Sequence, residues 1–122
     1  MKKLLILLFA FSLVSQTFSQ NVITAVVNNG RWNQNATWDL NRQPMGGDTV
    51  VIPSNINLVV NTNISLASSS IYLEIYGSLD MKVGKLDLGN ESSVNIKTGG
   101  RITSENGNQT SSEFIRIGGV NK

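Results

Sequence analysis

An all-β chain folded as a short β-solenoid is predicted by three observations. Short runs of β-branched and aliphatic residues alternate apolar and polar at a period of two. No stretch after residue 20 keeps a helical period, and pairs of apolar residues recur at a step of 21 positions. A solenoid is the architecture that such a step requires, because each coil supplies inward side chains that stack on the coil below. The predicted strands lie at 50–52, 58–60, 71–81, 85–88, 93–97 and 114–117, and Asn, Ser, Thr and Gly fill the turns between them.

The chain has 122 residues, enough for one domain, and the first 19 read as a cleaved signal peptide. Lys2 and Lys3 form the positive start, residues 4–14 are an apolar run, and Ser19 supplies the small residue before Gln20. A run of eleven residues, apolar but for Ser12, is too short to cross a bilayer as a helix, which needs about twenty. Secretion, with residence in the extracellular space or at the cell surface and no membrane insertion after cleavage, is therefore expected. The chain carries ten Lys and Arg against eight Asp and Glu, and two of the ten sit in the leader, so the remainder balances at eight against eight. A neutral domain has no charge excess to draw it to nucleic acid or anionic lipid. No Cys and no His are present. That removes disulfides, thiol nucleophiles, the common zinc and haem sites and every triad that needs imidazole, so no cofactor and no metal is expected.

The repeat has two phases. Leu73 and Ile75 recur as Val94 and Ile96 and then as Ile115 and Ile117, with Ile52 one step earlier. Leu58 and Val60 recur as Leu79 and Met81 and then as Gly100 and Ile102. This register predicts three to four rungs. Their outward residues would stack as Glu74, Asn95 and Arg116, as Tyr72, Ser93 and Phe114, and as Asp80 beside Arg101, with neighbouring strands about 4.8 Å apart. Residues 20–48 form an N-terminal cap segment and residues 49–122 the rungs. An ordinary β-sandwich whose strands fell into step is the alternative.

The motifs of residues 25–53 carry a resemblance. Gly30, Trp32-Asn33, Thr37-Trp38, Pro44, Gly47-Asp48, the run 50–52 and Pro53 resemble the opening of modules common in secreted Bacteroidetes surface proteins, which are similar to the extracellular eight-glycine domain. The segments 86–89, 98–100 and 115–119 also look like its rungs. The resemblance implies a right-handed parallel β-helix with an N-terminal cap. Such modules usually sit in longer proteins, whereas this chain stops five residues after Ile117, so it reads as a fragment or a degenerate copy. With no obvious cap on the last rung, the uncovered end is expected to template another chain, either as end-to-end self-association or as further rungs.

Trp32 and Trp38 take two readings, a cover for the first rung or, together with Tyr72 and Tyr76, a surface on which sugar rings stack. Large aromatics are usually mostly buried, which favours the cover. Gly47-Asp48 reads as a turn into the first rung rather than as a metal ligand, since one carboxylate falls short of the six to eight oxygens that calcium takes. Thr49, in Asp48-Thr49-Val50, resembles the acceptor of a short Bacteroidetes O-glycosylation motif. Four Asn-x-Ser/Thr triplets begin at Asn35, Asn63, Asn90 and Asn108 and match chance in so Asn-rich a chain. For chemistry only carboxylates remain: Glu74, Asp80, Asp87, Glu91 and Glu113 can be paired on paper, with Lys97 or Arg116 beside Glu74 as a lyase-like base. Solvated ladder charges are the simpler account, and no residue is assigned a catalytic role. The expectation is a secreted structural or adhesive surface module without catalytic activity. The alternatives are a carbohydrate-binding module with a surface polysaccharide as partner, or the remnant of a polysaccharide lyase or hydrolase.

Overall fold

The computed structural model describes residues 20–104 and 114–121. Residues 1–19, expected to be a signal peptide, lie outside them, as do Asn108 and Glu113. The described residues form a parallel β-solenoid of about four turns. Strand β1 (Val22–Thr24) leads into a first coil of β2 (Thr49–Ile52), β3 (Asn57–Val59) and β4 (Ile64–Leu66). The second coil is β5 (Tyr72–Ile75), β6 (Ser78–Asp80) and β7 (Lys85–Leu88). The third is β8 (Ser93–Ile96), β9 (Arg101–Thr103) and β10 (Phe114–Ile117), followed by β11 (Val120–Asn121). Like strands stack into three sheets: β1-β2-β5-β8, β3-β6-β9 and β4-β7-β10-β11. Among the described residues every strand-to-strand pairing is parallel except β10 with β11.

Alternation builds the core. In the first sheet Ile23, Val50 and Leu73 stack inward and are fully buried, with Val94 below them. Leu58 and Leu79 fill the second sheet, and Leu86 and Leu88 the third. Each such side chain is worth roughly 1.5–3 kcal/mol on burial. Ile23 and Ala25 reach the same core from residues 20–48, and Arg31 pairs in parallel with Val59. That segment therefore lies across the start of both the first and second sheets.

The register departs from a constant step of 21. Val50 and Ile52 pair with Leu73 and Ile75, 23 positions on, so Ile52 stands opposite Ile75 and not Leu73. Leu79 pairs with Ile102, also 23 positions on, and Gly100 drops out of the phase. Steps of 21 and 23 differ by two residues, which lengthens a turn yet leaves every side chain on its own face, whereas a slip of one would turn the core outward. The larger correction concerns β10. Ile115 pairs with Leu86 in the third sheet, not with Val94 in the first. Leu86 and Leu88 belong to neither of the two expected phases; they form a third, and β10 continues it.

The predicted strand at 71–81 is two strands, broken at Tyr76-Gly77 where the chain turns from the first sheet to the second. The end after Ile117 also differs from expectation. Gly118 and Gly119, both at positive φ (59° and 78°), make a two-residue hairpin loop that returns β11 onto β10. Both loop residues of the turn that best matches strand twist need φ > 0, which glycine adopts freely. The edge of the third sheet is thus occupied by the chain itself, while β8 and β9 stand at the edges of the other two.

Candidate functional site

Three outer faces follow from the three sheets, and the candidate residues are distributed over all of them. On the first, Thr49, Tyr72 and Ser93 form one row, and Val51, Glu74 and Asn95 the next. Lys97 Nζ stands 4.0 Å from Glu74 Oε1. On the third, Ser65, Asp87 and Arg116 align, as do Lys85 and Phe114. Arg116 Nε donates to Asp87 Oδ1 at 3.0 Å and a second guanidinium nitrogen reaches Oδ2, a forked pair of the strong kind. Lys85 Nζ and Arg116 Cζ lie 5.1 and 5.4 Å from the centre of the Phe114 ring. Two expected stacks are therefore corrected: Arg116 meets Asp87 and not Glu74, and Phe114 meets Lys85 and not Ser93. The cause is the membership of β10 in the third sheet.

The Arg116 guanidinium holds the Asp87 carboxyl below its ordinary range, chiefly through the hydrogen bond and secondarily through charge. A folded value below the unfolded one of about 3.9 contributes stability at pH above that value and loses it as pH falls through the folded value. Asp87→Asn should accordingly flatten the acid limb of the stability curve below about pH 4. Urea unfolding at pH 3 and pH 7 checks this; an unaltered pH dependence would show that the pair contributes nothing to folding.

The carboxylates considered for catalysis do not converge. Glu74 is on the first face, Asp80 on the second and Asp87 on the third, because each is an outward residue of a different sheet. Glu91 is exposed in the turn before β8. Among the described residues no group of three or more Asp or Glu gathers as metal ligands would.

The four aromatics of the sugar-stacking reading are also separated. Trp32 and Trp38 are 1% and 2% exposed and meet edge to face, ring centres 5.4 Å apart. The Trp38 indole N–H donates to the Trp32 carbonyl at 2.9 Å. Neither indole presents a face to solvent. Tyr72 is half-buried between Thr49 and Ser93, and Tyr76 is exposed in the turn between β5 and β6.

Asp48 is buried and closes the turn before β2. Its carboxylate accepts the Met45 N–H at 2.9 Å and two bonds from Arg42 at 2.6 and 3.1 Å. The hydrogen bond to Asp48 in turn raises the Arg42 guanidinium above its ordinary value. Gly47, at φ +88°, makes the turn possible. Thr49 is half-buried, its N–H bonded to the Asn21 carbonyl.

The second outer face was not foreseen as a site. Asn57, Ser78 and Arg101 form one row, and Arg31, Val59, Asp80 and Thr103 the next. Arg101 thus lies beside Ser78, and Asp80 beside Thr103, rather than Asp80 beside Arg101. The Asn57 side chain is fixed from both sides: its amide donates to Asn29 Oδ1 at 3.0 Å, and its oxygen accepts the Ser78 hydroxyl. Asn28 Oδ1 accepts the Asn57 backbone N–H at 2.9 Å. Two shallow clefts of about 320 and 250 Å³ run along this face and share Asn29 and Asn57. The signal that would have located it was the row beside the inward residues Leu58, Leu79 and Ile102, which the constant step of 21 misaligned.

A further cleft of about 450 Å³ lies at the far end of the stack, lined by Met81, Val94, Ile102, Phe114, Ile115 and Ile117. There the inward residues are open to solvent, Ile96 at 54% and Ile102 at 38%, whereas Ile23 at the opposite end is wholly buried. No helix among the described residues is long and apolar enough to cross a membrane. Comparison with family models, with curated proteins and with solved structures returns no match.

Proposed function

We propose that the chain is a secreted structural or adhesive module of the cell surface, without catalytic activity, that associates through the far end of its stack. The observation that carries this reading is the inequality of the two ends. One is filled by Ile23, Ala25, Trp32 and Trp38, all nearly inaccessible; the other leaves Ile96 and Ile102 open beside the edge strands β8 and β9. Unpaired edges with apolar inward residues are what a further strand would pair with and cover. The separation of Glu74, Asp80 and Asp87 onto three faces favours a non-catalytic role over a lyase or hydrolase remnant. The positive-apolar-small order of residues 1–19 supports export.

Light scattering on residues 20–122 over a range of concentrations tests it. Mass should rise with concentration, and Ile96→Lys, which places a charge among the inward residues of the edge, should return the monomer. A concentration-independent monomer would remove the end as a site.

A further inference from the structure

We infer that the outer face of β3-β6-β9 binds an acidic, hydroxyl-rich polysaccharide of the uronate type. The inference rests on the adhesive part of the reading above, not on association through the end, and gives it a ligand and a separate face. The cations point to it first. The chain has four arginines, and Arg42 and Arg116 are each forked onto a carboxylate. Arg31 and Arg101 are both exposed, and neither joins an ion pair among the described residues. Both project from this one face. Arg31 precedes Val59 in its row and Arg101 follows Ser78 in the other, so their strands are three spacings apart, about 14 Å at 4.8 Å each.

Between them the surface is low and polar. Ser78 is 6% exposed and Val59 7%, so short side chains make the floor of the face while the arginines stand at its two ends. Asn57 is held by Asn29 and Ser78, and Asn28, Asn29 and Asn55 line the same cleft. Amides offer both donors and acceptors, as sugar hydroxyls do. A side chain already fixed in a ladder loses little rotamer freedom when a ligand arrives. The guanidiniums would take two carboxylates of the polymer as planar forks. Asp80, at the middle of the second row, disfavours an anionic group there and so directs the two carboxylates to the ends. Among the described residues no aromatic ring lines these clefts, so recognition by charge and amide, rather than by stacking, is the chemistry they offer.

The test measures binding of the purified chain to immobilised alginate, with dextran, poly-glutamate and dextran sulfate in parallel. Alginate should bind, dextran should not, and poly-glutamate, which has carboxylates without hydroxyls, should bind more weakly. Added salt should weaken the alginate complex. The double variant Arg31→Gln, Arg101→Gln should lose about tenfold in affinity, as two exposed charge pairs would give. Lys85→Gln, on another face, should stay within about twofold. Both variants are checked for an unchanged unfolding midpoint, since none of the three residues is buried. Absence of alginate binding, equal binding of poly-glutamate, tighter binding of dextran sulfate than of alginate, or an unaffected double variant would each overturn the assignment. Failure here with concentration-dependent mass intact would leave the end-association reading standing. A monomer that binds alginate would remove that reading and keep this one.

Discussion

Trp38→Ala should cost about 3–5 kcal/mol, the range for deleting a large aromatic from a core. The indole is 2% exposed, packs edge to face on Trp32, and donates its N–H to the Trp32 carbonyl. Its loss removes apolar contact, opens a cavity and strips a buried carbonyl of its partner, which alone costs about 1–3 kcal/mol. A domain of this size has about 5–15 kcal/mol in total, so the variant should populate unfolded chain at moderate urea. Trp38→Phe keeps most of the ring contact and loses the donor, and should fall between the two. Tyr76→Ala, in an exposed turn, should change stability by less than about 0.5 kcal/mol. Urea midpoints of the three variants decide it. A Trp38→Ala loss near that of Tyr76→Ala would mean that the two tryptophans do not hold the start of the stack.

Gly77→Ala should be strongly destabilising, at the upper end of the about 1–3 kcal/mol that overpacking typically costs. An added methyl would stand 2.1 Å from the Pro53 carbonyl oxygen and 2.3 Å from that of Ile56. Both oxygens are already engaged, Pro53 by the Ile56 N–H and Ile56 by the Ser78 N–H, each at 3.0 Å. They are backbone atoms of the coil above, so relief requires the two coils to separate at this corner, weakening the pairing of β3 with β6. Gly47→Ala is the informative comparison. Its backbone has φ +88° with nothing within 4 Å of the added atom, so only the left-handed strain of about 1–2 kcal/mol applies. If the two substitutions cost the same, close approach of coils is not what Gly77 provides.

These effects separate two kinds of legibility. Leu58, Leu73, Leu79 and Ile75 were placed in the core from alternation alone, because an apolar residue in a half-polar strand has only one face to bury. The burial of Trp32 and Trp38 followed from size in the same way. Strand β4 was missed because its Ile64-Ser65-Leu66 is three residues in a run of Asn, Ser and Thr, and β9 because Arg101-Ile102-Thr103 carries one apolar residue. Both are strands because a neighbouring coil offers them partners, and pairing with β7 and β6 supplies what local preference does not. The Gly118-Gly119 hairpin is a local signal that was present in the chain, although the end after Ile117 was read as uncovered.

The sequence by itself determined an all-β chain of stacked coils, a period-two choice of which residues face inward, and the absence of the cysteine and histidine on which much catalysis depends. Tertiary structure alone decided which sheet each strand joins. Steps of 21, 22 and 23, and the 29 positions between Leu86 and Ile115, are all open to a chain whose turns vary in length. Parity preserves the inward face in several of these registers, so only packing of the whole stack distinguishes them. That choice is what sends Arg116 to Asp87 and leaves Arg31 and Arg101 at the two ends of one polar face. The outer surface is thus a consequence of register, and register is a property of the assembled core.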